Sequence, residues 1–155
     1  MNKVIVFDID GTLANIEHRR GFVASKPKNW KAFDAGIPND KVNEPVAAIF
    51  RTFLTRVGLG NAVDIVLASG RNERSRQATE DWLYENGLIG YQKLYMRKAD
   101  DFRSDDIVKR EILDEIIADY GRKPDMVFDD RPRVVRMWRE AGIFVFNVYQ
   151  GDEDF

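Results

Sequence analysis

Residues 4–14 read VIVFDIDGTLA, and the fold turns on this stretch. Val4 to Phe7 form an unbroken apolar run, the pattern of a parallel strand covered on both faces, and Asp8 follows at its carboxyl end. A second carboxylate, Asp10, comes two residues later, and Gly11 permits the chain to turn there. Two carboxylates that close repel each other unless a cation or a proton sits between them. The end of this strand is therefore marked as a site.

Outward from that strand, residues 15–40 are polar, basic and punctuated by Pro27 and Pro38. They read as a long loop or small flap, with a helical turn near NWKAFDAG (29–36). Val42, Val46, Ile49, Phe50, Phe53, Leu54 and Val57 then recur at helical spacing, with Gly58 placed to cap the helix. AVDIVLASG (62–70) is a second buried strand, NERSRQATEDWLYENG (72–87) a helix closed by Gly87, and KLYM (93–96) a short strand. After a polar loop, Ile107, Val108, Ile112, Leu113, Ile116 and Ile117 make a helical stripe, with Ser104, Asp105 and Asp106 suited to its N-terminus. DMVFDD (125–130) is another strand ending in acids. Pro132 can start the next helix, with Val134, Val135, Trp138 and Ala141 inward and Gly142 at its end, and IFVFNV (143–148) closes the series.

Strands alternating with helices predict an α/β fold: a three-layer, Rossmann-like parallel sheet of about five strands with helices on both faces. The expected organisation is a single domain over 1–155, with a small flap at about 15–40 and no large cap. Ligands bind such sheets outside the carboxyl ends of the strands. Asp8, Asp10, Ser69, Asp129 and Asp130 should therefore converge on one rim. The length, 155 residues, suits one core, and the net charge of -2 neither predicts nor excludes a polyanionic partner. With no cysteine, disulfides, thiolate metal sites and cysteine nucleophiles are ruled out. The apolar run at the N-terminus is too short for a signal peptide and no stretch is long enough to span a bilayer, so a cytoplasmic protein with no membrane partner is expected. No obligate protein partner is predicted.

Four carboxylates at one rim suggest a hard cation, Mg²⁺ foremost, which would neutralise an incoming phosphate. Ser69 and Gly70 offer a hydroxyl and backbone N–H groups ahead of a helix, a natural phosphate cradle, and Lys109 near the start of its helix can reach the same phosphate as a point charge. Asp8 is assigned as a nucleophile forming an acyl phosphate and Asp10 as the acid/base, because a carboxylate on the metal should stay ionised. Taken singly these features are commonplace: Asp-x-Asp-Gly is often a turn, a lysine beside an apolar stripe is usually solvated, and Asp-Asp often caps a helix. Their order and shared placement at strand ends carry the reading.

The motifs resemble those of the haloacid dehalogenase (HAD) superfamily: DIDGT (8–12), LASG (67–70), Lys109 and FDDR (128–131) match its four motifs over essentially the whole chain. The resemblance implies Asp8 as nucleophile, Asp10 as acid/base, Ser69 and Lys109 as phosphate ligands, and Mg²⁺ held by Asp8, the Asp10 carbonyl and Asp129, with Asp130 beside them. A closer likeness, through DGTLANIEHRRGF, LASGRNE, MRKADDFRSDDIVKREIL and FDDRPRVVRMWREAGIFVFNV, is to the 3′-phosphatase domain of polynucleotide kinase-phosphatases. It implies that Arg19, Arg71 and Asp105 support the substrate or its nucleic-acid end. No Gly-x-x-x-x-Gly-Lys-Ser/Thr loop is present, so kinase activity is not predicted.

The expected activity is thus Mg²⁺-dependent release of 3′-phosphate from nucleic-acid ends. A nucleotidase acting on free mononucleotides is the alternative. A non-enzymatic phosphoacceptor (receiver-like) domain fits less well, because its acceptor aspartate ends a middle strand, where this chain offers Ser69. Arg19, Arg20, Lys26, Lys28, Lys31, Arg71, Arg74, Arg76, Arg97, Lys98 and Arg103 fall in loops near the mouth and could form a basic track or simply be solvated charges. Phe22, Trp30 and Phe33 could stack on a base, though Trp30 and Phe33 at helical spacing more readily pin a short helix to the core. Trp82 and Trp138 read as packing residues, and His18 as a loop residue facing solvent or substrate.

Overall fold

A computed structural model describes residues 1–55 and 63–153. Its centre is a five-stranded parallel sheet in the order β5-β4-β1-β6-β7, with β1 at Lys3–Phe7, β4 at Val63–Asn72, β5 at Lys93–Arg97, β6 at Met126–Asp129 and β7 at Phe144–Asn147. β1 pairs with β4 on one side and β6 on the other. The chain therefore reverses its winding direction next to β1, and that switch leaves a crevice at the strand's carboxyl end.

The apolar runs divide by parity, as the pleat requires. Ile5, Phe7, Ile65, Leu67, Leu94 and Met96 face one layer, made by α3 (Glu44–Thr55) and α4 (Arg76–Glu85). Val4, Val6, Val66, Ala68 and Val127 face the other, where α5 (Asp105–Tyr120) presents Val108, Ile112, Leu113 and Ile116, and α6 (Pro132–Glu140) presents Val134, Val135 and Trp138. α6 begins on Pro132 as expected, and Gly142 beyond its end has φ 78°, a value that suits glycine.

Residues 15–40 are more ordered than the loop the sequence suggested. α1 (Glu17–Ala24) and α2 (Trp30–Ala35) lead into a 3-10 turn at Ile37–Asn39, and a two-residue ribbon joins β2 (Ala14–Asn15) to β3 (Lys41–Val42). α2 is the helical turn read at 29–36, started by the Asn29 side chain accepting from the Ala32 N–H at 3.0 Å. α1 was missed because its buried side chain is Arg19, not an apolar residue. Phe33 and Ile37 tie this flap to the core, whereas Trp30 stays 55% exposed and meets Phe33 edge-on. Trp30 therefore does not pin the flap.

Other boundaries moved by a few residues. α3 starts after Val42, which lies in β3, and the expected Val57 and Gly58 fall outside the described residues. β4 continues past Gly70 to Asn72 with a shift of register, so α4 starts four residues later than read.

Phe50 shows how far the site rests on this core: it is fully buried, with its ring 5.3 Å from that of Phe7, immediately before Asp8. Phe50→Ala is expected to lower the unfolding free energy by about 3–5 kcal/mol, measured by urea denaturation.

Candidate active site

β1 ends at Phe7, and the Asp8 N–H donates to Phe128 O at 2.9 Å, so the first carboxylate leaves the sheet beside the end of β6. Asp8, Asp129 and Asp130 bring carboxylate oxygens within 4.8 Å of one another, and all three residues are buried. Lys109, carried by α5, sits against them: its Nζ donates to Asp8 Oδ1 at 2.5 Å and to Asp129 Oδ2 at 2.7 Å. Thr12 Oγ1 donates to Asp8 Oδ2 at 2.9 Å, and Trp138 Nε1 to Asp129 Oδ2 at 3.1 Å. These contacts hold both oxygens of Asp8 and fix the carboxylate's plane.

Burial pushes the Asp8 carboxyl well above its ordinary range, with Asp129 and Asp130 adding to the rise and Lys109 opposing it. Asp130 is pushed up to about 6, first by burial and then by the Asp129 charge. Burial acts against the Lys109 ammonium, yet Asp129 and Asp8 outweigh it and raise its pKa. When ionised, three carboxylates against one ammonium leave a local charge of -2. Oxygen-only donors, dense negative charge and shielding from water fit a hard divalent cation.

The carboxylate of Asp10 does not join that cluster. Gly11, at φ 84°, turns the chain, and the Asp10 side chain faces the flap instead. Its Oδ1 accepts from Arg19 Nη2 at 2.9 Å and from Arg71 Nε and Nη2 at 2.8 and 2.6 Å. Burial alone would raise this carboxyl, but Arg71 and Arg19 together hold it below the usual carboxylate range. The rim thus gathers three of the four expected acids, and the fourth stands in a separate, cationic setting. The turn at Gly11 is crowded: a Cβ there would lie 2.0 Å from Asp130 Oδ2.

Arg19 and Arg71 are themselves fixed by Asp40, whose side chain is fully buried. Asp40 accepts from Arg19 Nε at 2.7 Å and Nη2 at 2.8 Å, and from Arg71 Nη2 at 2.8 Å. His18 Nε2 lies 2.8 Å from the same carboxylate, and Trp82 Nε1 donates to the Asp40 carbonyl at 2.8 Å. His18 is therefore part of α1 and bound to this network rather than a free loop residue. Sequence reading missed Asp40 and the role of Thr12. Thr12 lies inside the quoted DIDGT, but nothing local marks Asp40, whose partners lie 21 to 42 residues away.

Ser69 is fully buried at the end of the second strand's apolar run, and its Oγ accepts from the Arg71 N–H at 3.1 Å. Asp105 opens α5 and faces Gly70, where a Cβ would come 3.0 Å from Asp105 Oδ1, so glycine is what lets the two approach. Arg97 and Arg131 both pair with Asp105. Of the residues read as a basic track or as solvated charges, Arg19 and Arg71 are buried in ion pairs, Arg76 pairs with Glu73 and Glu80, and Arg103 with Asp101 and Glu111, while Lys26, Lys28, Lys31, Arg74 and Lys98 are exposed.

A parallel sheet of this order with acids, a serine and a lysine at its carboxyl rim is the scaffold of a HAD-type phosphatase domain. Within that class, the chain belongs to the family of the polynucleotide kinase PNKP phosphatase domain, whose family model it matches over residues 2–153. It is 32% identical over 150 residues to a protein of Autographa californica nuclear polyhedrosis virus named as a bifunctional polynucleotide kinase/RNA ligase, covering 94% of this chain and 19% of that protein. It is similar to a chain in the structure of a Pnkp1/Rnl/Hen1 complex, with a TM-score of 0.76 and 31% identity, covering 99% of this chain and 48% of that one. The chain thus spans about a fifth and about half of these two relatives. A haloacid dehalogenase-like hydrolase from Streptococcus pneumoniae, SP0104, shares the fold at a TM-score of 0.66 and 12% identity, over 99% of this chain and 87% of that one. The chain is a phosphatase domain of the hydrolase class. Among the described residues, no helix is long and apolar enough to cross a membrane.

Two substitutions test this geometry. Gly11→Ala is expected to cost more than the about 1–2 kcal/mol of left-handed strain alone, since Asp130 must also move, as urea unfolding would register. Asp40→Ala leaves two buried guanidiniums short of their shared anion, and a stability loss of about 3–5 kcal/mol is expected by the same measurement.

Proposed function

We propose that the chain is a Mg²⁺-dependent phosphomonoesterase that releases 3′-phosphate from nucleic-acid ends through an acyl phosphate on Asp8. The observation that carries this reading is the separation of two carboxylates from one turn. Asp8 lies in an acidic cluster against Lys109, and Asp10 is held apart by two arginines. A nucleophile and a proton carrier need different surroundings; burial raises the Asp8 carboxyl and the arginines lower that of Asp10, and a cation held by Asp8 would offset the first of these. Membership of the PNKP phosphatase family, and relatives named for polynucleotide kinase and RNA ligase, support a nucleic-acid end as the substrate.

Asp8, Asp129 and Asp130, with the main-chain carbonyl of Asp10, would hold the Mg²⁺, which when bound supplies a hard Lewis acid that offsets phosphate charge. A carboxylate oxygen of Asp8 bonds to phosphorus as the bond from phosphorus to the 3′ oxygen breaks. Ser69 Oγ, backbone N–H groups beside Gly70 and the Lys109 ammonium take the phosphate's other oxygens. All three arginine contacts of Asp10 fall on Oδ1, and in this reading Oδ2 carries the proton given to the departing 3′ oxygen. In the second step Asp10 accepts a proton from water as that water attacks phosphorus. The acyl phosphate then opens to inorganic phosphate and free Asp8. Arg19 and Arg71 favour the ionised Asp10 that this second step needs and disfavour the protonated form that donates in the first. Arg19, Arg71 and Asp105 act by positioning: the arginines aim Asp10, and Asp105 packs against the backbone at Gly70. The related Pnkp1 chain in a complex with Rnl and Hen1 makes a ligase-type partner compatible with this role, although none is needed for the chemistry.

Asp8→Asn is expected to abolish phosphate release while leaving the fold intact, as read by phosphate assay and circular dichroism; near-normal turnover would exclude the covalent route. Asp10→Asn should lower kcat about 10²–10⁴-fold on a 3′-phosphorylated oligonucleotide and much less on an ester with a good leaving group such as p-nitrophenol. Removing divalent cations with a chelator should stop turnover, and adding Mg²⁺ should restore it. A higher kcat/KM on 3′-phosphorylated oligonucleotides than on mononucleotides is expected; the reverse order would make the chain a nucleotidase.

A further inference from the structure

The loop of residues 98–104 leaves β5 at the same rim as the acidic cluster and ends at Asp105. It is polar and exposed, yet it is tied down at several points. The Asn72 amide donates to the carbonyls of Lys98 and Ala99 at 3.2 and 3.0 Å. The Asp101 N–H closes a turn onto Lys98 O at 3.1 Å. Arg97 Nη1 donates to the carbonyls of Asp101 and Arg103, at 3.3 and 2.6 Å, so one guanidinium grips the backbone on both sides of residue 102. Arg103 folds back on both oxygens of Asp101 and also reaches Glu111. Phe102, the residue these bonds bracket, is 84% exposed.

A lone exposed aromatic on a slack loop would carry no meaning. Here the backbone around the ring is held by main-chain and side-chain bonds, so the ring is presented rather than merely uncovered. Phe102 lines a surface cleft of about 550 Å³ together with Lys98, Asp100, Asp101 and Arg103. Two cations and two carboxylates balance in that lining, which therefore has no net pull on a phosphate. It suits a neutral, flat ring, with Phe102 as the apolar face.

The cleft is also coupled to the phosphate site. Arg97, which grips the loop through Nη1, donates through Nε to Gly70 O at 2.9 Å and pairs with Asp105. Phe102 lies three residues before Asp105, so their Cα atoms are at most about 11 Å apart, within reach of one nucleotide. We infer that the cleft around Phe102 is a nucleobase subsite, in which the ring stacks on the base of the nucleotide that bears the terminal phosphate. The inference rests on the nucleic-acid reading of the substrate given above. It assigns part of that specificity to stacking, which every base can supply, on a platform whose ordering precedes binding.

The test compares a short oligothymidylate ending in 3′-phosphate with the same oligomer lacking its terminal base. In the unsubstituted protein, loss of that base should lower kcat/KM about tenfold, within the range of one base–aromatic stack. In Phe102→Ala the two substrates should become equivalent, and Phe102→Leu, which keeps apolar bulk but no π-face, should behave like the alanine variant. Phe102→Trp should preserve the preference. Because the readout is the coupling between one side chain and one base, a general loss of fold would not imitate it. Indifference of the unsubstituted protein to the terminal base, or an unchanged preference in Phe102→Ala, overturns the subsite. If the unsubstituted protein frees phosphate from p-nitrophenyl phosphate but from neither oligomer, the nucleic-acid reading itself fails and the subsite with it.

Discussion

Asp8, Asp129 and Asp130, all buried, bring carboxylate oxygens within 4.8 Å of one another, and Lys109 is set between two of them. Buried like charges at this spacing are unfavourable unless counter-charge and hydrogen bonds are supplied from all sides. The surrounding fold can be understood as that supply. α5 delivers the ammonium, the turn after β1 delivers the Thr12 hydroxyl, and α6 delivers the indole N–H of Trp138. Gly11 has no side chain because Asp130 occupies the space where one would be. When all three carboxyls are ionised the cluster keeps a charge of -2, a balance that fits a hard divalent cation.

A second electrostatic unit stands a turn away and is built on the opposite principle. Arg19 and Arg71 face Asp10 and Asp40, two charges of each sign, with no excess. A balanced buried network of this kind fixes geometry rather than attracting a ligand. It also explains why a flap with few buried apolar residues is ordered: Arg19 anchors α1 from within, and Asp40 anchors the segment leading to β3. Ile9 alone stands between Asp8 and Asp10 in sequence, so a single residue separates surroundings that hold one carboxyl above its usual range and the other below it.

The same division governs the basic residues around the mouth. Several that looked like phosphate attractors by position are neutralised within the protein, and Arg97 serves mainly to brace a loop and the backbone at Gly70. Lys26, Lys28, Lys31, Arg74 and Lys98 remain exposed, on a chain whose overall charge is slightly negative.

The alternation of apolar strand and amphipathic helix was enough to determine the five-stranded sheet, because a doubly covered parallel strand has no other simple signature than an unbroken apolar run. It also located Asp8 and Asp129 at strand ends, which can be read from where apolar residues stop, whereas Ser69 ends an apolar run inside a strand that continues to Asn72. Lys109 was legible beside its helical stripe. What the sequence left undecided depends on partners distant along the chain. Only folding shows that Asp10 turns toward Arg19 and Arg71 instead of joining the other acids, that Asp40 lies beneath both arginines, or that α1 is held by a buried charge. Local pattern records burial of apolar surface, which repeats with the period of a helix or strand. Ion pairs between residues tens of positions apart leave no such period, so tertiary structure alone decides them.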